Sequence, residues 1–224
     1  MSDTAESTIA QRRAVLLADL ARVAKRPPAL IAVSKRQPDV RIEAALNAGQ
    51  RVFGENQVQE AQTRWRERRA VFPDLELHLV GALQSNKAQA AVDLFDVIHS
   101  FDRPKLIGAL VKAMEKSGRQ PRILAQVNIA EEPQKAGVKP SDLKPLLQQA
   151  ADQGLKIDGL MCIPPAAEPA APYFALLAKL SRQQGLTTLS MGMSDDYAVA
   201  ARLGATLVRV GTGFFGPRPH SSLT

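Results

Sequence analysis

The sequence contains a single cysteine and so offers little thiol chemistry. One cysteine cannot form an internal disulfide framework, and a lone thiol fits a reducing compartment. Cys162 lies in the apolar stretch Gly159-Leu-Met-Cys-Ile163, which predicts a buried, inert thiol. His78, His99 and His220 lack the spacing of metal ligands. We therefore predict no metal site. His78 could face the interior of the fold or be a satisfied core histidine, and the second interpretation is favoured.

Aromatic residues and long apolar runs are also scarce. Only 4% of the residues are aromatic, so the core must be built from Ala, Leu, Val and Ile. No apolar run approaches the length of a membrane span. The start of the sequence, Met1-Ser-Asp-Thr-Ala-Glu6, is polar and acidic and lacks the features of a signal peptide. We therefore expect a cytoplasmic protein with no membrane partner.

The net charge of +7 raises the possibility of nucleic-acid binding. The densest basic cluster is Arg64-Trp-Arg-Glu-Arg-Arg69, whose arginines spread around a helix axis and do not form one stripe. This pattern favours a solvated helix end with its cations near the negative end of the helix dipole. No nucleic-acid-binding motif accompanies the cluster, so we expect no nucleic-acid partner. Binding to nucleic acid therefore remains a hypothesis that rests on the net charge alone.

Short apolar runs alternate with amphipathic stretches along nearly the whole chain. A leading helix is predicted at about 5–25 and is ended by Pro27 and Pro28. Strands are predicted at 30–34, 51–53, 75–80, 97–99, 123–129, 157–163, 187–190 and 206–210. Helices are predicted between them at 38–48, 58–69, 86–94, 103–116, 141–153, 171–184 and 195–203, with the last helix short or absent after Gly216.

Such alternation predicts parallel strands that are buried on both faces. Eight strand–helix steps in 224 residues favour an α/β fold, a single (β/α)8 TIM-type barrel with an extra N-terminal helix, over an open doubly wound sheet. We predict one domain over residues 1–224, with the barrel at about 29–216 and a short tail at 217–224.

Lys35 stands at the end of the first predicted strand, after the apolar run Ala29-Leu-Ile-Ala-Val-Ser. The carboxyl ends of barrel strands carry the functional site in folds of this kind. Burial disfavours the charged form of an amine, which suits a nucleophilic lysine that forms a Schiff base. An ion pair with a neighbouring carboxylate such as Glu55 explains the same lysine equally well. The residues around Lys35 leave both interpretations open.

The last two strands end in segments that suit a phosphate group. In Ser190-Met-Gly-Met-Ser194, Gly192 lets backbone N–H groups converge and the serines offer hydroxyls. The next strand ends in Gly211-Thr-Gly213, and phosphate sites of these barrels follow strands seven and eight. An amine and a phosphate site together indicate pyridoxal 5'-phosphate (PLP). The alternative is that Ser194 caps its helix while Asp195 and Asp196 complement the dipole.

Several blocks of the sequence resemble the YggS/PROSC family of PLP homeostasis proteins. They are Ala32-Val-Ser-Lys35, Phe53-Gly-Glu-Asn56, His78-Leu-Val-Gly-Ala-Leu-Gln-Ser-Asn-Lys87, Leu189-Ser-Met-Gly-Met-Ser-Asp195 and Val208-Arg-Val-Gly-Thr212. The matches run in order from about residue 30 to 216. The resemblance implies a barrel like the N-terminal domain of alanine racemase, of PLP fold type III.

The resemblance also implies the roles of individual residues. PLP would be bound to Lys35 as a Schiff base, with Asn56 near the ring and Arg209 facing the pyridine nitrogen. The phosphate would be held by Ser190, Ser194, Gly211 and Thr212. One departure is Gln37, where many relatives have a second lysine, so Lys135 is the remaining candidate for an auxiliary lysine.

The resemblance implies a PLP-binding protein that buffers or delivers the cofactor, with PLP-dependent apo-enzymes as candidate recipients. We expect a monomer without turnover of its own and therefore no catalytic residue. The alternative is a PLP-dependent amino-acid racemase or decarboxylase of fold type III. Such a racemase needs a second acid/base on the far face of the cofactor. Tyr173 and Tyr197 are the only tyrosines, and both are predicted on the helical layer.

Overall fold

A computed structural model describes residues 2–217, with side chains from Thr8 onward. Eight parallel strands close into one barrel in the order of the sequence. The strands are β1 (Ala29–Val33), β2 (Val52–Glu55), β3 (Glu76–Leu79), β4 (Val97–Phe101), β5 (Arg122–Val127), β6 (Gly159–Cys162), β7 (Thr188–Ser190) and β8 (Leu207–Val210). This architecture confirms the predicted barrel. Residues 218–224, most of the predicted tail, lie outside the described residues, and the assignment of the whole chain to one domain stays a prediction.

Helices surround the barrel and connect its strands. They are α1 (Ser2–Val23), α2 (Asp39–Asn47), α3 (Val58–Val71), α4 (Ala88–Leu94), α5 (Lys105–Ser117), α6 (Leu143–Asp152), α7 (Ala171–Gln183), α8 (Tyr197–Arg202) and α9 (Thr212–Phe215). The last helix differs from the prediction, because it is a single turn before Gly216 and not after it. Gly216, which follows it, has a φ of 85° and a ψ of −175°, a backbone conformation that is essentially restricted to glycine. No helix among residues 2–217 combines the length and apolar character that a membrane crossing requires.

The barrel closes where β1 pairs with β8, with Ile31 opposite Arg209 and Ala32 opposite Val210. Side chains of alternate residues point into the barrel, because successive strand residues face opposite sides. An apolar layer within the barrel is formed by Ile31, Val97, Leu124, Met161 and Leu207. A polar layer lies next to it along the strands, because His99 and Arg209 each follow a member of the apolar layer by two residues.

The N-terminal helix is held against the barrel by polar contacts as well as by its apolar face. Arg13 donates to the side chain of Gln50 at 3.2 Å and to the carbonyl of Gly49 at 3.1 Å. At the other end of α1, Tyr197 donates to Asp19 at 3.0 Å. These contacts attach α1 to the segments after α2 and before β8.

Candidate cofactor site

The predicted site residues surround a cavity at the carboxyl ends of the strands. The cavity has a volume of about 240 Å³. Its wall consists of Val33, Lys35, Asn56, Val80, Ile163, Met193, Ser194, Arg209, Gly211 and Thr212. Every residue predicted for the site except Ser190 therefore lines one cavity. A cleft of about 470 Å³ on the outside of the barrel, between α6 and the end of α7, contains none of the predicted residues.

Lys35 follows β1 directly, and its neighbour Ser34 continues the strand ladder. Ser34 N–H donates to the carbonyl of Gly54 at 2.9 Å, and its hydroxyl donates to Glu55 at 2.7 Å. Lys35 is half-buried and reaches the cavity wall. The backbone turns sharply after it, because Arg36 has a φ of 56°. Pairing with β2 therefore fixes the point at which the lysine leaves the barrel.

Glu55, the carboxylate considered as a partner of Lys35, belongs to a buried network. Its side chain is fully buried and accepts hydrogen bonds from Ser34, from Arg64 at 2.9 Å and from Trp65 Nε1 at 3.0 Å. Burial opposes the charge of Arg64, but the charges of Glu55 and Glu60 outweigh it and raise the pKa of the guanidinium. Glu55 therefore provides a buried counter-charge to Arg64.

The arginines of α3 differ from the solvated helix end that the sequence favoured. Arg64 is 12% exposed and pairs with Glu55, while Arg68 pairs with Glu43 and Arg69 with Asp96. Among the arginines of this cluster, Arg66 alone is exposed. The interpretation was wrong for Arg64, because the helix packs against the barrel and its arginines meet the carboxylates of neighbouring elements. Much of the basic cluster is thus neutralised within the molecule.

The loops after β7 and β8 meet at the cavity wall, and β8 pairs with β1, the strand that Lys35 follows. Ser194 Oγ accepts hydrogen bonds from Gly213 N–H and from Thr212 Oγ1, each at 3.3 Å. Helix α8 begins at Tyr197 with Asp196 at its N-cap, so Ser194 lies before the cap and the capping alternative was wrong. Asp196 accepts from Met193 N–H at 2.5 Å and so turns toward its own loop. The hydroxyls of Ser194 and Thr212 remain at the cavity wall.

Gly192 makes the turn after β7 possible. Its φ is +93°, and a Cβ at this position would lie 2.5 Å from the Cβ of Ala200. We expect Gly192→Ala to lower the free energy of unfolding by about 2–4 kcal/mol, since backbone strain and overpacking add. Urea unfolding followed by the fluorescence of Trp65, the one tryptophan in the sequence, measures the loss.

A second glycine separates the two contributions. Gly204 has a φ of +94°, but nothing lies within 4 Å of the position where its Cβ would be. Gly204→Ala should therefore lower the free energy of unfolding only through backbone strain, by about 1–2 kcal/mol. Equal losses for the two variants would show that close packing at Gly192 contributes nothing.

Ser190 lies beneath the cavity, inside the barrel. Its side chain is fully buried, and its hydroxyl bonds to His99 Nδ1 at 2.9 Å and accepts from Arg209 Nη1. Arg209 also donates through Nη2 to the carbonyl of Cys162 at 2.9 Å. The hydroxyl of Ser190 is thus directed toward Arg209 and not toward the loop that carries Ser194. Of the predicted phosphate contacts, it is the one that the structure does not bring to the cavity wall.

His78 is hydrogen-bonded and faces the barrel interior, so both predicted alternatives hold, and it belongs to a longer hydrogen-bond chain. Its Nδ1 lies 2.8 Å from His99 Nε2, and its Nε2 lies 2.9 Å from Glu76 Oε1. Burial lowers the pKa of His78, although Glu76 acts in the opposite direction. Burial, with the nearby positive charges, lowers the pKa of His99 well below its usual value. Both imidazoles are therefore neutral at pH 7.

Cys162 matches the prediction of an inert thiol. Its side chain is buried, and burial raises the pKa of the thiol to about 12. Within the described part of the chain, no three His, Cys, Asp or Glu side chains are grouped as a metal ion would need.

Asn56 reaches the cavity because the turn after β2 packs closely against the turn after β3. A Cβ on Gly81 would lie 2.2 Å from the backbone oxygen of Asn56. Only glycine therefore fits at position 81. Gly81 was not predicted to shape the site. Its place within the sequence block that starts at His78 was the available signal.

The two positions considered for an auxiliary lysine have different surroundings. Gln37 is buried, accepts from Arg41 at 3.1 Å and offers its backbone carbonyl to Arg64. Lys135 pairs with Glu132 at 2.5 Å and donates to the carbonyl of Pro164 at 3.2 Å. It lines a cleft of about 620 Å³ that shares Ile163 and Met193 with the Lys35 cavity. Lys135 is therefore at the edge of the site, and Gln37 is not.

Known proteins resemble this chain over nearly its whole length. The family model of the alanine racemase N-terminal domain matches residues 17–219. The pyridoxal phosphate homeostasis protein of Pseudomonas aeruginosa is 42% identical, over 96% of this chain and 98% of that protein. The structure of PipY of Synechococcus elongatus PCC7942 with PLP bound is 42% identical, with a TM-score of 0.81 over 93% of this chain and 100% of PipY. Alanine racemase of Corynebacterium glutamicum shares the fold, with 18% identity and a TM-score of 0.71 over 98% of this chain and 63% of the racemase.

Proposed function

The chain belongs to the family of pyridoxal phosphate homeostasis proteins, and on that premise we propose that it binds PLP beside Lys35 and buffers or delivers the cofactor. It does so without turnover of its own. The name of the relatives, pyridoxal phosphate homeostasis protein, supports this function, and the structure of PipY with PLP bound supports PLP as the ligand.

The observation that carries the proposal is a single cavity whose wall contains an amine together with hydroxyls and glycine backbone. The amine is that of Lys35, and the other groups belong to Ser194, Gly211 and Thr212. PLP needs both, because its aldehyde condenses with an amine and its phosphate accepts several hydrogen bonds. We propose that Lys35 holds the aldehyde carbon and that Ser194, Gly211 and Thr212 hold the phosphate.

Arg209 and Asn56 complete the proposed site. Arg209, on β8, also lies in the cavity wall, where it can face the pyridine nitrogen, and Asn56 borders the ring. A guanidinium gives up a proton only with difficulty, so the bound ring stays a weak electron sink. We propose that Ser190 acts by holding Arg209 and not by contact with the phosphate.

The racemase or decarboxylase alternative needs a second acid/base above the cofactor. Tyr173 lies on α7 and donates to Glu168, and Tyr197 lies on α8 and donates to Asp19 of α1. Both tyrosines therefore occupy the helical layer, as the sequence predicted, and neither is among the residues of the cavity wall. This placement favours a carrier over an enzyme.

We further propose that the protein is cytoplasmic and monomeric and that PLP-dependent apo-enzymes receive its cofactor. The single cysteine supports a reducing compartment. The charge pairing of α3 leaves little basic surface there for nucleic acid. Size-exclusion chromatography with light scattering tests whether the protein is a monomer. Delivery is tested by mixing the PLP-loaded protein with a PLP-dependent apo-enzyme and measuring the enzyme activity that is recovered.

Lys35→Ala tests the proposed binding mode. The wild-type protein loaded with PLP should show the visible absorption of a PLP–lysine Schiff base, and borohydride should fix PLP to the chain. Lys35→Ala should lose the band and the fixed PLP, because no other amine replaces the one at the end of β1. Lys135→Ala is the matched control at the edge of the cavity and should keep both.

The result for the wild type decides the cofactor assignment. A wild-type protein that stays colourless after incubation with PLP would contradict the assignment of PLP as the cofactor. Carrier and enzyme are separated by incubating the loaded protein with amino acids in deuterated water. Exchange of the Cα proton at turnover rates would favour the racemase alternative.

A further inference from the structure

A continuous hydrogen-bond chain crosses the barrel interior from the amino-terminal rim to the proposed cofactor site. It runs from Glu76 at the start of β3 through His78 at 2.9 Å, His99 at 2.8 Å and Ser190 at 2.9 Å, and ends at Arg209. Four strands contribute to it, namely β3, β4, β7 and β8. Every member except Glu76 is buried. None of its links belongs to the strand ladders that hold the barrel together.

The two ends of the chain fix the direction of every proton within it. An arginine can only donate, so Ser190 Oγ accepts from Arg209. The carboxylate of Glu76 can only accept, and with both imidazoles neutral this leaves Ser190 to donate its own proton to His99 Nδ1. His99 then carries its proton on Nε2 and donates it to His78 Nδ1. His78 in turn carries its proton on Nε2 and donates it to the carboxylate of Glu76. The network thus assigns both imidazoles the same neutral tautomer.

This direction matters because Arg209 is a buried cation with neutral neighbours. Its bonded partners are the hydroxyl of Ser190 and the carbonyl of Cys162, and among the described residues it makes no ion pair. A buried charge without a counter-ion depends on oriented dipoles. The hydrogen-bond chain supplies these dipoles, since each of its groups turns its acceptor atom toward Arg209. The carboxylate at its far end is Glu76.

We propose that His99 is a positioning residue for the cofactor site and that it acts on Arg209 through Ser190. Its Nδ1 accepts the proton of Ser190 and so keeps the lone pair of that hydroxyl pointed at the guanidinium. The cofactor ring is therefore coupled to Glu76 and its partner Arg122 on the opposite rim of the barrel. The inference rests on the proposed function, because the ring nitrogen that Arg209 faces is that of PLP.

The strongest test replaces His99 by leucine and by asparagine. Leucine removes both ring nitrogens, whereas the amide oxygen of asparagine can occupy the position of Nδ1 and accept from Ser190. We expect His99→Leu to move the visible band of the PLP-loaded protein and to raise the PLP dissociation constant roughly tenfold. His99→Asn should restore most of the wild-type spectrum and affinity. A residue that only fills space would show no such rescue.

Ser100→Ala is the matched control on the same strand. Ser100 is buried beside His99, and its hydroxyl has no hydrogen-bond partner among residues 2–217. Its loss should leave the spectrum and the PLP affinity at wild-type values. If His99→Leu does not fold, Glu76→Leu tests the same chain from the exposed rim, and Asp74→Leu is its control because Asp74 pairs with Arg51 outside the chain. Glu76→Leu should shift the band in the same direction as His99→Leu, by a smaller amount.

A measurement on the protein without PLP checks the proton direction itself. The ¹⁵N chemical shifts of the two imidazoles should report protonated Nε2 and unprotonated Nδ1 in both His78 and His99. The opposite tautomer at His99 would overturn the proposal, as would a His99→Leu spectrum and affinity equal to those of the wild type. A wild type that fails to load PLP on Lys35 overturns the proposed function and this inference with it. That failure is distinct, because it leaves the tautomers unchanged.

Discussion

Glu55→Ala is expected to lower the free energy of unfolding by about 3–5 kcal/mol, because it removes the buried counter-charge of Arg64 and leaves only partners that are partly exposed to water. Arg64 is 12% exposed, and Glu55 itself is fully buried. The substitution also removes the acceptor of the Trp65 N–H and of the Ser34 hydroxyl. A domain of this kind is stable by about 5–15 kcal/mol, so the loss is a large share of the total. Ser34 precedes Lys35, so PLP binding should weaken as well.

Glu60→Ala is the matched control, because Glu60 pairs with the same guanidinium at 3.0 Å. Its side chain is 29% exposed, so water replaces the lost partner and the cost should be below about 1 kcal/mol. Replacing both members, as Glu55→Leu with Arg64→Met, should recover much of the stability that Glu55→Ala loses. Urea unfolding is followed by circular dichroism, since Trp65 itself changes its surroundings. Equal losses for Glu55→Ala and Glu60→Ala would contradict the argument.

The barrel could be predicted from the sequence because its strands are buried on both faces. Parallel strands of this kind are continuous apolar runs bounded by polar residues, and they stand out even in a chain with few aromatics. The observed strands differ from the predicted ones mainly at their ends. Strand β4 was predicted at 97–99 but continues to Phe101. Ser100 is polar and so hid this extension, although its side chain is buried.

The cavity wall was predictable for a related reason. In a barrel the residues that follow the strands must converge, so Lys35 and the glycine-rich ends of β7 and β8 had to meet. Strand seven was predicted to end at Ser190, as it does, but the sequence Ser-Met-Gly-Met-Ser does not show which of its serines reaches the cavity wall. In the structure Ser190 is the last residue of β7 and faces the interior opposite Met161, whereas Ser194 follows the turn at Gly192.

The buried polar networks could not be predicted from local pattern. Glu55 and Arg64 lie on a strand and on the next helix, and their contact depends on how α3 packs against the barrel. His78 and His99 meet because β3 and β4 pair with His78 opposite Val97, which places His99 two residues further along the same face. Two histidines near the ends of successive strands were the available signal. The register that brings them together is a property of the closed sheet.

The same two histidines predict that the protein loses stability as the pH falls below about 6.5. Burial lowers the pKa of His78 and of His99 in the folded state, so both stay neutral there. In the unfolded chain they take up protons below their usual pKa of about 6.5. Stability is therefore fully present above that pH and is lost as the pH falls toward the lowered pKa values. Each histidine contributes a slope of up to about 1.4 kcal/mol per pH unit.

The expected total is a loss of roughly 2–4 kcal/mol between pH 7 and pH 5, measured by urea unfolding at several pH values. Hydrogen bonding to His78 lowers the pKa of Glu76, so that carboxylate titrates below this window. His220 lies outside the described residues and is replaced by asparagine in every protein compared. In that background, His78→Gln with His99→Asn should flatten the slope, although the starting stability is lower. If the free energy of unfolding still falls with pH after the double substitution, the acid sensitivity belongs to carboxylates. If the free energy of unfolding instead rises toward pH 5, the folded protein holds these imidazoles charged.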